Sequence, residues 1–314
     1  MRTILEKKYT PVEIAGINEM AAADPNALVE TAEEYYNKQV LCAAESIKAK
    51  RCCKFVLLCG PSASGKTTTA HKLKHRLISL GIGARVVSMD NFFRGVEAYP
   101  KLPDGKPDME SVKALDLDCL NACFEQLMET GEAQLPVFDF SRQRRSDERH
   151  HVTLREGDIL IMEGIHALNP DVLKRIPREN VYRLYVSVRS KFINGEEVIL
   201  IPKDIRLMRR MVRDHKFRGW PPVATLEQWA HVLEGERVGI DPYRDDVDLK
   251  MDNTIDYEVC VWHDLLTDLL EDRKVYEMYP EIERIFEGLT RFPQIDYKLI
   301  PQNSLLREFI GEEV

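Results

Sequence analysis

The chain has 314 residues, 44% hydrophobic and 31% charged, with a formal net charge of −8. That is an ordinary globular composition, long enough for one large α/β domain or two small ones, and its acidity argues against a general nucleic-acid binder. No apolar run approaches the roughly 20 residues of a membrane span and the first residues lack a signal-peptide core, so a cytoplasmic enzyme without a membrane partner is expected.

Residues 26–50 read as a helix, with Leu28, Ala32, Tyr35, Tyr36, Val40 and Ala43 on one stripe. They form the second half of an expected N-terminal helical extension over residues 1–50 that packs on a core domain. Residues 54–59 are a short apolar run, read as a buried strand, and residues 68–80 carry helix formers at helical spacing. Between them lies Gly60-Pro61-Ser62-Ala63-Ser64-Gly65-Lys66-Thr67, which fits G-x-x-x-x-G-K-[ST]. A glycine loop between strand and helix aims several backbone N–H groups at one point, which binds polyphosphate. The expected cofactors are ATP and Mg²⁺. Gly60, Ser62, Ala63, Ser64, Gly65, Lys66, Thr67 and Thr68 would hold the nucleotide, Lys66 reaching the β- and γ-phosphates and the Thr67 hydroxyl ligating Mg²⁺.

A second strand over residues 84–90 ends in an acid, Asp90, followed by Asn91-Phe92-Phe93-Arg94. Asp90 reads equally well as a base for a hydroxyl acceptor or as a turn cap. A loop over residues 99–108, a helix over 114–128, an extended piece over 135–140 and a basic loop over 142–149 follow. His150-His151 reads as part of a solvated loop, no second ligand group standing nearby. Residues 158–163 form a third core strand ending in Glu163, which resembles a Walker B acid and would hold Mg²⁺ directly or through water.

Residues 181–188 are a fourth strand and 254–260 the expected fifth. In the helix over residues 204–217, Arg206, Arg209, Arg210 and Arg213 fall on one face and Leu207, Met211 and Val212 on the other, as suits a lid closing over phosphates. Residues 225–233 form one more helix. Strands alternating with helices indicate an α/β three-layer fold: a mainly parallel five-stranded sheet, helices on both faces, and an arginine-rich lid. The core domain is expected over residues 51–290 and a C-terminal tail over 291–314. The seven cysteines have no C-x-x-C or zinc spacing and are expected to be reduced and mostly buried.

Together these segments resemble the uridine kinase and phosphoribulokinase family of P-loop kinases, from about residue 54 to about 266. Ser88-Met89-Asp90-Asn91-Phe92-Phe93-Arg94 looks like the family's D-x-F-Y segment, which implies that Asp90 is the catalytic base. The stretch from Met109 to Asp116 looks like the one whose acid grips ribose hydroxyls; Glu110 occupies that position, with Asp108 the neighbouring alternative. Pro136-Val137-Phe138-Asp139-Phe140 looks like the P-V-Y-D-F piece at the nucleobase, and Glu163-Gly164-Ile165-His166 like the element with the Mg²⁺ acid. Arg209, Arg210, Arg213 and Asp214, continuing to Arg218-Gly219, look like the lid. The resemblance assigns Asp90, Lys66, Arg210 and Arg213 to catalysis, Thr67 and Glu163 to the metal, and Phe93, Glu110, Phe138, Gln143, Arg210 and Gln228 to the acceptor.

The bacterial uridine kinase-like branch is the nearest in phrasing, and residues 1–50 are too few for the further N-terminal domain that its members often carry. Phe93 and Phe138 stand where the family has tyrosines, and Gln143 stands near a family histidine. The implied activity is ATP-dependent transfer of the γ-phosphate to the 5′-hydroxyl of a nucleoside, uridine or cytidine first, as in nucleoside salvage. A purine nucleoside, a sugar phosphate or a pantothenate-like alcohol is the alternative acceptor. A non-catalytic ATP-binding regulatory protein is the alternative of another class. Self-association is left open.

Overall fold

The computed structural model of the chain describes residues 10–139, 142–172, 174, 176–270 and 274–311. Phe140 of the expected nucleobase segment lies outside them, as do residues 1–9 and 312–314.

The chain begins with β1 (Thr10–Glu13), α1 (Ile14–Ala23) and α2 (Pro25–Ala49). Asp24 caps α2 by accepting from the Ala27 amide at 3.1 Å, with Pro25 preset in the first turn. Next come β2 (Phe55–Cys59), α3 (Lys66–Ser79), β3 (Ala84–Ser88), α4 (Leu117–Thr130), β4 (Glu132–Asp139), β5 (Arg144–Thr153) and β6 (Ile159–Glu163). The second half holds β7 (Val181–Ser187), β8 (Ser190–Asn194), β9 (Glu197–Leu200), α5 (Pro202–Arg218), α6 (Pro222–Gly239) and β10 (Leu249–Asp252). Four helices follow: α7 (Trp262–Leu269), α8 (Lys274–Met278), α9 (Pro280–Leu289) and α10 (Arg307–Ile310).

The central sheet has the order β10-β7-β2-β6-β3, and every pairing in it is parallel. β2 and β6 lie inside it and are buried along their whole length, as strands covered on both faces must be. Side chains alternate across the sheet. Val56, Leu58 and Ile161 join one core with α2, α3, α5 and the C-terminal helices. Phe55, Leu57, Cys59, Leu160 and Met162 join the other, with Leu120, Phe124 and Leu127 of α4.

Two expectations from the sequence are corrected. The fifth strand is β10, not residues 254–260, which turn into a 3-10 helix at Asp256–Cys260. Thr254 Oγ1 and the Asp252 carboxylate take the amides of Ser190 and Arg189, which ends the ladder. Tyr257, Val259 and Cys260 are then driven into the core by the same apolar character that suggested a strand. The basic segment 142–149 is mostly β5, paired antiparallel with β4, so the exposed His150 and His151 stand on a strand rather than a loop. Of the seven cysteines Cys53, Cys59, Cys123 and Cys260 are buried, while Cys42 and Cys52 are exposed; all are free thiols. A second sheet, β1-β8-β9, joins segments more than 170 residues apart and had no counterpart in the sequence reading.

α2 is joined to α3 and to the turn after β10 by polar contacts. Tyr36 Oη lies 2.8 Å from Thr69 Oγ1 of α3, and Glu33 accepts from the Tyr257 hydroxyl at 2.8 Å. Among the described residues no helix is long and apolar enough to cross a membrane.

Candidate functional site

The register of the sheet gathers the site. Glu163 ends β6 opposite Leu58 of β2 on one side and Ser88 of β3 on the other. Gly60 lies two residues beyond Leu58 and Asp90 two beyond Ser88. Residues 60–67, Asp90 and Glu163 therefore share the carboxyl edge of three adjacent parallel strands, where open α/β sheets bind ligands.

The loop has no room to spare at its first glycine. A Cβ on Gly60 would lie 2.1 Å from the Val186 carbonyl oxygen. Gly65 sits at φ +84°, with the Leu305 side chain 2.6 Å from where its Cβ would be. Ala63 also takes a positive φ, 58°. Residues from distant parts of the chain pin the loop. Asn253 Nδ2 donates to the Ser64 carbonyl at 2.8 Å and to Thr69 Oγ1 at 2.9 Å. The Ser62 amide donates to Glu236 at 3.2 Å, and Arg210 Nη1 donates to Ser62 Oγ at 2.7 Å. Lys66 Nζ donates to the Pro61 carbonyl at 3.1 Å, curled back over the loop. Thr67 is exposed, and the Thr68 amide donates to Glu308 Oε2 at 2.9 Å.

Glu163 is 6% exposed. Burial and the nearby Asp90 charge push its carboxyl up to about 7, against the pull of Lys66 and the Ser88 hydroxyl. Asp90 is partly buried at the start of a 3-10 turn, with its amide 3.4 Å from Ser88 Oγ. Burial raises its carboxyl, while Lys66, Arg218 and Arg213 favour the ionised form. Glu110 is raised by burial and drawn down chiefly by Arg210. It fits because α6 has a glycine there: a Cβ on Gly235 would lie 2.5 Å from the Glu110 Cβ.

The four arginines of α5 divide their work. Arg206 makes a bidentate pair with Glu236, both contacts at 2.8 Å. Arg209, fully buried, is committed to Glu258. Arg210 and Arg213 turn instead to the buried Asp214, at 3.3 and 2.7 Å, which also takes Arg218 at 3.3 Å. The helix lies over the loop, both of its faces are engaged, and two of its arginines belong to the core.

On the acceptor side, the Phe93 and Phe138 rings meet edge-on at 5.9 Å, with Tyr99 5.9 Å from Phe93. Gln143 occupies the exposed β4–β5 turn at φ 51°, its carbonyl taken by the Val96 amide at 3.2 Å. Gln228 is exposed on α6. Asp108 pairs with His231 at 3.3 Å. His166 is 2% exposed and lies against the Glu110 backbone. Burial pushes its pKa down to about 4.

The sequence reading left Asn253, Glu236, Glu308 and His166 out of the site. No local motif marks the first three, which reach the loop from 174 to 240 residues away. His166 follows the Glu163 element directly, and its place at a strand end was the available signal.

The described residues fit a polyphosphate and a divalent cation: backbone amides, a lysine and a hydroxyl at a helix start, with a carboxylate on the next strand. Residues 55–259 match the model of the phosphoribulokinase/uridine kinase family. The chain is 28% identical over 172 residues to a uridine kinase of Lactobacillus helveticus, covering 55% of this chain and 72% of that one. It is 29% identical over 178 residues to a uridine kinase of Schizosaccharomyces pombe, covering 56% of this chain and 35% of that longer one. Among solved structures, a protein described as a fructose transport system kinase from Silicibacter sp. TM1040 matches with a TM-score of 0.50 at 20% identity, over 68% of this chain and 98% of that one, a likeness of fold. With strand, loop, strand-end acids and arginine helix all inside the matched span, the chain belongs to the phosphoribulokinase/uridine kinase family and is a phosphotransferase acting on an alcohol group.

Proposed function

We propose that this protein is an ATP-dependent nucleoside kinase that phosphorylates the 5′-hydroxyl of uridine or cytidine. The observation that carries the reading is the position of Asp90, partly buried and under the charges of Lys66, Arg213 and Arg218, beside Glu163 at the mouth of the loop. A regulator that only bound nucleotide would need no carboxylate poised among phosphate-binding cations. The uridine kinases among its relatives support a nucleoside acceptor.

The backbone N–H groups of residues 60 and 62–68 and the Lys66 side chain would hold the phosphates, and Thr67 and Glu163 would hold Mg²⁺. When bound, MgATP supplies the phosphoryl group. Asp90 accepts the proton of the attacking hydroxyl; burial raises its carboxyl, and Lys66, Arg218 and Arg213 favour the ionised form that this role needs. Glu110 orients the sugar. Arg210 and Arg213, steadied by Asp214, offset charge on the transferring group. Phe93 and Phe138 present a ring surface to the acceptor. Gln143 and Gln228 complete the proposed acceptor contacts; Gln143 must act from the exposed hairpin turn.

ADP release measured with a panel of uridine, cytidine, purine nucleosides, sugar phosphates and pantothenate tests the reading. Turnover with uridine or cytidine well above the acceptor-free rate is the expected result. Turnover only with another acceptor overturns the pyrimidine assignment, and none with any acceptor overturns the nucleoside kinase reading.

A further inference from the structure

The helix that follows the nucleotide loop has no local partner for its N-terminus. Gly65 is its N-cap and offers no side chain, and the first turn of α3 contains no acid. The positive end of a helix favours an anion. Here the anion comes from 240 residues further on: Glu308 Oε2 accepts the Thr68 amide at 2.9 Å. The charge of Glu308 is also felt by Glu163, raising its carboxyl further.

The segment bearing Glu308 is well seated. Leu305, fully buried, packs on Gly65. The Phe309 ring faces the Arg209 guanidinium at 5.1 Å. Lys216 Nζ donates to the Ile310 carbonyl at 2.9 Å, and Ser304 Oγ lies 2.9 Å from the Tyr257 hydroxyl. Residues 304–310 therefore form a strap that lays a carboxylate on an amide of the phosphate-binding turn. The strap lies beyond the span matched by the family model.

We propose that Glu308 is an affinity-setting residue of the nucleotide site, an internal carboxylate that competes with the nucleotide's phosphates for the Thr68 amide. One N–H cannot serve both anions at full strength, and two negative groups at that distance repel. Polyphosphate binding therefore displaces the Glu308 side chain and lowers the apparent affinity by the cost of doing so. The nucleoside part of the nucleotide gains nothing from the contact and feels no competition. This rests on the reading of residues 60–67 as the phosphate-binding loop.

The test is calorimetric titration of the full chain, without acceptor, using ATP, ADP, tripolyphosphate and adenosine, on the native protein and on Glu308→Gln. Gln keeps the side chain's shape and removes its charge. Glu308→Ala serves as the second variant, and thermal unfolding checks that both are folded. Competition predicts that ATP, ADP and tripolyphosphate each bind roughly tenfold more tightly to both variants, with adenosine unchanged. Polyphosphate affinity that stays the same or falls in the variants, while the native protein binds, overturns the competition and leaves the loop reading intact. Absence of polyphosphate binding in native protein and variants alike overturns both.

Discussion

Arg209 and Glu258 form a two-pronged ion pair, Nε and Nη2 each 2.7 Å from the carboxylate, with neither side chain exposed. Arg209 Nη2 also donates to the Asn253 carbonyl at 2.8 Å. The pair ties α5 to the turn after β10, and through Asn253 to the loop of residues 60–67. Breaking one half strands the other charge in a dry interior. Arg209→Met is expected to cost about 3–5 kcal/mol in urea unfolding, and adding Glu258→Gln should restore a good part of it. A loss below about 1 kcal/mol for the single variant would mean that Glu258 finds another partner or water.

Asp90→Asn keeps the side chain's size and removes its proton-accepting charge. Turnover with the working acceptor should fall by ~10²-fold or more while nucleotide affinity changes little. Steady-state ADP release and direct nucleotide titration separate the two effects. Near-native turnover would take Asp90 out of the base role.

Asp214 is fully buried and takes three guanidinium groups, those of Arg210, Arg213 and Arg218. In Asp214→Asn the arginines lose their common anchor and repel one another. Turnover is expected to drop by ~10-fold or more through loss of positioned charge, with a lower unfolding midpoint. If kcat survives, the arginines hold their places through other contacts such as Arg210 to Ser62.

His166 titrates near about 4 in the fold because burial disfavours its charged form, against about 6.5 in an unfolded chain. Between those values the unfolded chain binds a proton that the native protein does not. The stability concerned is present above pH 6.5 and is lost as pH falls toward 4, on the order of 3 kcal/mol at full titration. Urea unfolding at pH 7 and pH 4.5 should show a clearly smaller acid loss in His166→Gln than in the native protein. Equal losses would mean that His166 stays neutral in both states or is already protonated in the fold.

What could be read from the amino-acid order was local. A strand, a glycine loop and a helix in succession specify the tight turn of residues 60–67, and apolar runs ending in acids specify the placing of Asp90 and Glu163. Their parallel strands made the common edge foreseeable. The periodicity of α5 showed which residues share a face. It could not show that Arg206 and Arg209 are consumed by Glu236 and Glu258 while Arg210 and Arg213 turn to Asp214, because those partners are chosen by packing.

The fifth strand was misplaced for a related reason. Apolar character marks burial, and both β10 and the turn at residues 256–260 are buried or partly so. Only hydrogen-bond pairing distinguishes them, and β10 earns its place from β7. Likewise, no pattern around residue 308 points to the loop it meets. Chain order marked the local geometry of the loop and of the strand-end acids, since that depends on short-range contacts. The tertiary structure decided which charges surround the ligand, because those contacts bring together residues up to 240 positions apart.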